Sequence, residues 1–216
     1  MKKITKHGHS FWVRDKSDEY VINERPYTRV LELSKGDIWL DAGGHIGKFA
    51  IDVAEHVTQV YSFEPTPESF DLLCDNIELN EIKNVTAVNA GLWDKQDGNS
   101  ELWLHDSAHA MNTMNYNKRR KLGKAVPVLM RNYLNFVTTN NINKIKIDTE
   151  GGEVEAFVSL LPVIDTIEEM AIEYHTFAYP KGREKYPAFV KLLNQHFSYV
   201  KAGSIWNGGA DIICRK

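Results

Sequence analysis

The run Asp41-Ala42-Gly43-Gly44-His45-Ile46-Gly47 constrains this chain more than any other feature. It follows the apolar stretch Ile38-Trp39-Leu40 and precedes residues with helical spacing, so it reads as strand, glycine turn and helix. Glycines at such a turn let the backbone approach a ligand closely. Tyr61-Ser62-Phe63-Glu64-Pro65 then reads as a second strand ending in a carboxylate. An acid about 20 positions beyond a glycine turn is placed to accept both hydroxyls of a ribose. A dinucleotide fingerprint would need Gly-x-Gly-x-x-Gly, whose bare amides cradle a pyrophosphate. Here the order is Asp-x-Gly-Gly-x-x-Gly, and the leading acid repels phosphate and welcomes a cation. A ligand with ribose, adenine and an amine but no phosphate fits this pattern: S-adenosylmethionine (SAM). The turn, with Asp41, Gly43, Gly44, His45 and Gly47, is expected to line its methionine end, with Asp41 favouring the ammonium directly or through water. Glu64, followed by Pro65, is expected to take the ribose diol.

The rest of the chain alternates in the manner of a parallel sheet with helices on both faces. Strands are expected at 37–42, 58–63, 84–89, 144–148 and 168–175. Helices are expected at 46–56, at 66–80 with Thr66 as N-cap and Phe70, Leu73 and Ile77 inward, at 132–140, at 153–161 and at 184–196. The alternation breaks at 91–105, which reads as a hairpin turning at Asp97-Gly98. Residues 106–124 read as a long loop, and 126–130 as a further strand. Residues 197–202 and 210–215 read as a closing antiparallel pair. The first 35 residues, polar and aromatic, are expected to form a lid beside the cofactor site, with a single catalytic domain over 36–216. The loop after the third strand, with Asn89 and Ala90, is expected to pack on adenine.

A second constellation is Lys146-Ile147-Asp148-Thr149-Glu150-Gly151-Gly152-Glu153. Asp148 and Glu150 follow a buried strand and share the crevice of Asp41, where either could orient or deprotonate an acceptor; Asp148 could also touch the cofactor. Their competing role is to cap the following helix, since acids near a helix N-terminus are stabilised by its dipole. His175, in Glu173-Tyr174-His175, ends the next strand at the same crevice and is a candidate base. His105 and His109 are weaker candidates. No metal site is expected. The basic run 117–124 reads as a solvated loop or as a clamp for a phosphate-bearing acceptor.

Bulk properties narrow the class. A net charge of −3 over 216 residues argues against nucleic-acid binding by bulk charge. Two cysteines, Cys74 and Cys214, make neither a disulfide framework nor a zinc site. No apolar run reaches the roughly 18 residues of a membrane span. The N-terminus lacks the apolar stretch of a signal peptide, so a cytoplasmic location is expected.

Taken with their order, these motifs resemble the FkbM family of SAM-dependent methyltransferases. The resemblance rests on Asp41-x-Gly43-Gly44-x-x-Gly47, Phe63-Glu64-Pro65-x-Pro67 and Ile147-Asp148-x-Glu150-Gly151-x-Glu153, and covers roughly residues 37–175. His45 departs from the family's usual asparagine, and Arg131-Asn132 from its usual Leu-Asp. The resemblance implies an α/β, Rossmann-like class I methyltransferase fold. Its sheet would be seven-stranded and mostly parallel, with an antiparallel C-terminal hairpin strand and an inserted β-hairpin and loop. It also implies O-methylation of a hydroxyl on a sugar or other small or glycan acceptor. The alternatives are a non-catalytic SAM-binding module and a methyltransferase acting on a nucleotide or nucleic acid through the basic run.

Overall fold

The structure is a computed structural model and describes residues 1–24, 27–105, 112–113 and 122–216. The chain opens with an antiparallel hairpin, β1 (Lys2–Lys6) and β2 (His9–Val13), and a helix α1 (Lys16–Asn23). Then follow β3 (Ile38–Ala42), α2 (Lys48–Ala54), β4 (Gln59–Phe63), α3 (Pro67–Leu79) and β5 (Val85–Val88). An insertion contributes β6 (Gly91–Trp93), β7 (Gly98–His105) and β8 (Leu122–Asn132). The second half adds α4 (Tyr133–Thr139), β9 (Lys144–Ile147), α5 (Glu153–Leu160), β10 (Glu169–His175), α6 (Gly182–Leu193), β11 (Tyr199–Ala202) and β12 (Gly209–Arg215).

The main sheet has seven strands in the order β11-β12-β10-β9-β3-β4-β5. Pairings are parallel from β5 through to β10, and β12 runs antiparallel to both β10 and β11. This is the expected α/β architecture. The order of strands reverses between β3 and β9, and ligands in such sheets bind in the crevice beyond that point. Alternate residues feed the two faces. Leu40, Phe63, Ile145, Ile147 and Ile212 enter the main core with Tyr133, Phe157 and Phe189 from the helices. Trp39, Val60 and Ala171 pack on the other side against Phe49, Ala50 and Val53 of α2.

Three local expectations change. Residues 91–105 do not form a hairpin with each other. The longer β8 lies between β6, its parallel neighbour, and β7, its antiparallel neighbour, so Gly91 and Gly98 both align with Met130. Asp97 closes this arrangement by accepting from the backbone N–H of Asn132 at 2.8 Å and from Arg131 at 2.7 Å. Residues 122–124 belong to β8 rather than to a loop, while most of the 106–121 stretch, with His109, lies outside the described residues. Thr66 stands at the N-cap of α3 with Pro67 after it, as expected, but makes no side-chain cap; Leu73 is buried and Ile77 packs on the core as expected, while Ser69, Leu72 and Asn76 join that buried face and Phe70 is only partly buried. The polar members of that face are used. Asn76 accepts from Trp12 N at 2.6 Å and donates to Ile46 O at 2.9 Å, tying β2 and the glycine turn to α3.

Candidate active site

The crevice beyond β3 and β9 opens into a cleft of about 450 Å³. That is within the usual range for cofactor sites. Gly43 is there because nothing larger fits. Its φ is +89°, and a Cβ would lie 1.8 Å from the carbonyl oxygen of Asp148. Gly44 sits over Ser62, whose hydroxyl would be 2.3 Å from an added Cβ. The turn and the end of β9 are thereby packed backbone to backbone. Their N–H groups are fixed as well, since Gly43 and Gly44 both donate to the Phe63 carbonyl, at 3.1 and 2.8 Å.

Glu64 is 7% exposed and lines the cleft. One carboxylate oxygen accepts from His45 N at 2.9 Å and the other from Thr66 N at 2.8 Å. Each oxygen is thus held in place and keeps lone pairs for a diol. Pro65, Leu92, Leu102 and Met130 give the neighbouring wall an apolar surface. A cleft with an anchored carboxylate beside an apolar wall fits an adenosine. When bound there, SAM supplies an already activated methyl group on a sulfonium.

Asp41 does not reach this cleft. It is fully buried, 3.2 Å from Lys146 and 2.6 Å from the Ser62 hydroxyl, which donates to it. Burial pushes its carboxyl above the usual range, with Lys146 opposing. Burial leaves it no direct contact with a ligand in the cleft, so of the two expected routes to the ammonium only the indirect one stays open. Lys146 bridges Asp41 and Asp148, the second at 3.4 Å, and donates to the Gly43 carbonyl at 2.7 Å. Burial acts against the Lys146 charge, but Asp41 and Asp148 outweigh it and hold the amine protonated. Asn89 and Ala90 also fall outside the lining. Asn89 donates to the backbone carbonyl of Glu64 at 2.9 Å and so positions that residue, and Gly91 and Leu92 take the place at the cleft expected of the earlier pair. Gly47 starts α2 at φ +93°, packed on Leu73, and does not line the cleft.

Another part of the cleft is a carboxylate cluster. Asp148, Glu150, Glu173 and His175 line the cleft, as does Glu24 of the N-terminal segment. His175 is buried, with Nδ1 3.0 Å from Glu153 and Nε2 3.4 Å from Glu173 and 3.6 Å from Glu150. Burial disfavours its charge, but Glu150, Glu153 and Glu173 outweigh burial and raise its pKa well above the usual histidine value. Both imidazole nitrogens face carboxylates, and His175 holds Glu150, Glu153 and Glu173 together at the end of β10. Glu173, which the sequence reading passed over in favour of its neighbour, is pushed upward first by Asp148 and then by burial, and a carboxyl raised in this way is a better proton acceptor. Glu24 is pushed up to about 7 by burial and by Glu173, Asp148 and Asp211. Glu153 is fully buried and caps its own loop, accepting from Gly151 N at 2.7 Å and from the Tyr179 hydroxyl at 3.0 Å. His105 lies on β7 and does not line the cleft.

His45, the departure at the turn, has φ +47° and faces the N-terminal segment. Its Nε2 is 3.1 Å from Asp18, which is fully buried and also paired with Arg14 at 2.9 Å. Burial opposes the Asp18 charge, but His45 and Arg14 hold its carboxyl well below the usual range. The glycine turn is thus joined to α1, and Ser17, Tyr20, Val21 and Glu24 follow along the cleft.

Comparison with known proteins agrees with this geometry. Residues 7–151 match the family model of the TRM5/TYW2 methyltransferase domain. "Methyltransferase 1" of Beauveria bassiana is 27% identical over 142 residues, covering 56% of this chain and 57% of that protein. The chain therefore spans little more than half the length of this curated relative. A Streptococcus mutans methyltransferase structure in complex with SAH superposes with a TM-score of 0.52 at 13% identity, over 89% of this chain and 98% of that one. The FkbM methyltransferase of Methylobacillus flagellatus superposes with a TM-score of 0.55 at 15% identity, over 88% of this chain and 48% of that one. At such identities the structural likeness is one of fold, so the FkbM resemblance of the motifs finds a neighbour in fold and not a family match. No helix among the described residues is long and apolar enough to cross a membrane. The chain belongs to the TRM5/TYW2 methyltransferase domain family, and S-adenosylmethionine is its cofactor.

Proposed function

We propose that this protein transfers a methyl group from SAM to a ring nitrogen of a nucleobase, free or within a nucleic acid. The family favours this acceptor over the sugar hydroxyl expected from the motifs. The observation that carries the reading is the make-up of the acceptor side: Tyr20, Phe177 and Trp206 line the cleft together with Asp148 and Glu173. Flat aromatic surfaces stack on a base, and carboxylates accept from its N–H groups. Tyr20 and Trp206 remain 57% and 46% exposed, which leaves their faces open to a ligand. In the reaction a nitrogen–methyl bond forms as the sulfur–methyl bond breaks, and its electron pair stays on sulfur. The ring N–H proton passes to a carboxylate, Asp148 or Glu173, and then to solvent. In-line alignment of the two partners is the protein's main contribution. In this reading residues 1–35 form a lid on the acceptor side; most of the basic run 117–124, at 117–121, lies outside the described residues.

A second reading keeps the hydroxyl acceptor. The crowding of Glu24, Asp148, Glu173 and Asp211, which raises three of these carboxyls, repels a phosphate brought close to them. A neutral sugar or glycan hydroxyl would meet no such repulsion. Incubation with methyl-labelled SAM and, separately, RNA, free nucleosides and glycans separates the two. Label recovered on a base nitrogen after digestion to nucleosides is the expected result. Label confined to glycan hydroxyls would replace the first reading by the second.

A further inference from the structure

We propose that Asp148, Glu173 and His175 form a binding site for one first-row divalent cation of the manganese or zinc type. One ligand atom from each lies within 4.8 Å of the others, and no other group of three His, Cys, Asp or Glu side chains converges in this way among the described residues. Ligand atoms about 2.1 Å from a metal stand at most roughly 4.2 Å apart, so closing on an ion asks for sub-ångström shifts. The three come from two adjacent parallel strands. Asp148 follows β9, and Glu173 and His175 are alternate residues on one side of β10.

The two nitrogens of His175 differ, and the difference points to a ligand. Nδ1 makes a well-formed contact to Glu153 at 3.0 Å. Nε2 has only longer contacts, 3.4 Å to Glu173 and 3.6 Å to Glu150, beyond the usual hydrogen-bond range. A buried carboxylate behind one imidazole nitrogen, with the other aimed at acids, is the arrangement that fixes a metal-binding histidine. Glu153 is itself held by Gly151 N and Tyr179, so the imidazole cannot turn away. A cation at this centre takes the place of the proton on Nε2 and engages one oxygen each of Asp148 and Glu173, leaving the second oxygen of each to meet the acceptor. One imidazole beside two carboxylates suits manganese or zinc better than magnesium, which prefers an all-oxygen shell. The site stands on these side chains and not on which acceptor the enzyme uses.

The test is titration of the full chain with Mn²⁺ alone, without SAM or acceptor, followed by electron paramagnetic resonance. One Mn²⁺ per chain is expected, with modulation from a coordinated imidazole nitrogen. Glu173→Gln and His175→Gln should each weaken binding by about tenfold or more. SAM titrations on the same variants report whether the cleft is intact. No binding at millimolar Mn²⁺ would overturn the proposal. So would an absence of nitrogen modulation in the unaltered protein, which needs no variant to fold. Binding that survives both substitutions would place the ion elsewhere on the acidic surface and equally refute the site.

Discussion

At the scale of single residues, the cleft depends on charges that are buried and matched. Lys146 is 5% exposed and faces both Asp41 and Asp148. Lys146→Met should therefore destabilise the protein by about 3–5 kcal/mol, because Asp41 is left buried without its cation. Denaturant unfolding measures this, and a double variant with Asp41→Asn should recover part of the loss. Asp148 is different, since its side chain is 28% exposed at the cleft. Asp148→Asn should leave SAM affinity largely intact and reduce turnover; unchanged turnover in labelled-methyl assays would remove Asp148 from the mechanism. The motif's carboxylates were legible as acids at strand ends. Which of them face the ligand was not, because that depends on the partner each finds. The Lys144-Ile145-Lys146-Ile147 strand shows why. Its alternation looks like one wet face, yet all four residues are buried, the lysines against acids from β3, β10 and the β9 end. A charge counted along a sequence carries no sign of the opposite charge that folding will bring to it.

At the scale of elements, the turn between β3 and α2 sets the cleft's shape. Gly43→Ala adds a Cβ where the Asp148 carbonyl already stands, at a positive φ. The cost should exceed the roughly 1–3 kcal/mol of left-handed strain alone, and SAM binding should be lost with it. Gly152→Ala is a milder comparison, since its φ is also positive but the nearest atom to a Cβ is 3.5 Å away. Thermal unfolding and SAM titration of the two variants should rank them in that order. The βαβ elements were readable because glycine turns and apolar runs are local signals. The insertion was not. Two strands separated by Asp97-Gly98 look like a hairpin, but β8 outcompetes the local pairing by offering one edge to each of them. The inward face of α3 was read in part, at Leu73 and Ile77; Ser69 and Asn76 escaped it because they are buried for their hydrogen bonds rather than for apolar area.

At the scale of the whole molecule, the acidic cleft couples stability to pH. The Glu24 carboxyl sits at 4.5 when unfolded and about 7 when folded. Between those values the native state retains a proton that the unfolded chain releases, so this group's contribution to stability falls as pH rises through that window. Urea unfolding across this range should show a decline that Glu24→Gln flattens; an unchanged slope would mean that Glu24 is not crowded by the cleft's other acids. The N-terminal hairpin and α1 carry Glu24 to the cleft, and the His45–Asp18–Arg14 contacts anchor them to the turn. The seven-stranded, mostly parallel sheet and the cofactor were visible through three ordered motifs and the resemblance they carry, while the order of the strands was not. Nor was the acceptor, since the lining proposed to meet it is assembled from α1, the ends of β9 and β10, and the segment before β12.

Calorimetric titration of the purified protein with SAM, alongside Glu64→Ala, tests the cofactor site most directly. Glu64 is fixed by two backbone N–H groups and aimed at the cleft. Micromolar binding that weakens by about tenfold or more in the variant, in keeping with the loss of charge-assisted hydrogen bonds, is the expected result. Unaltered binding in Glu64→Ala, or none in the unaltered protein, would contradict the placement of the cofactor in this cleft.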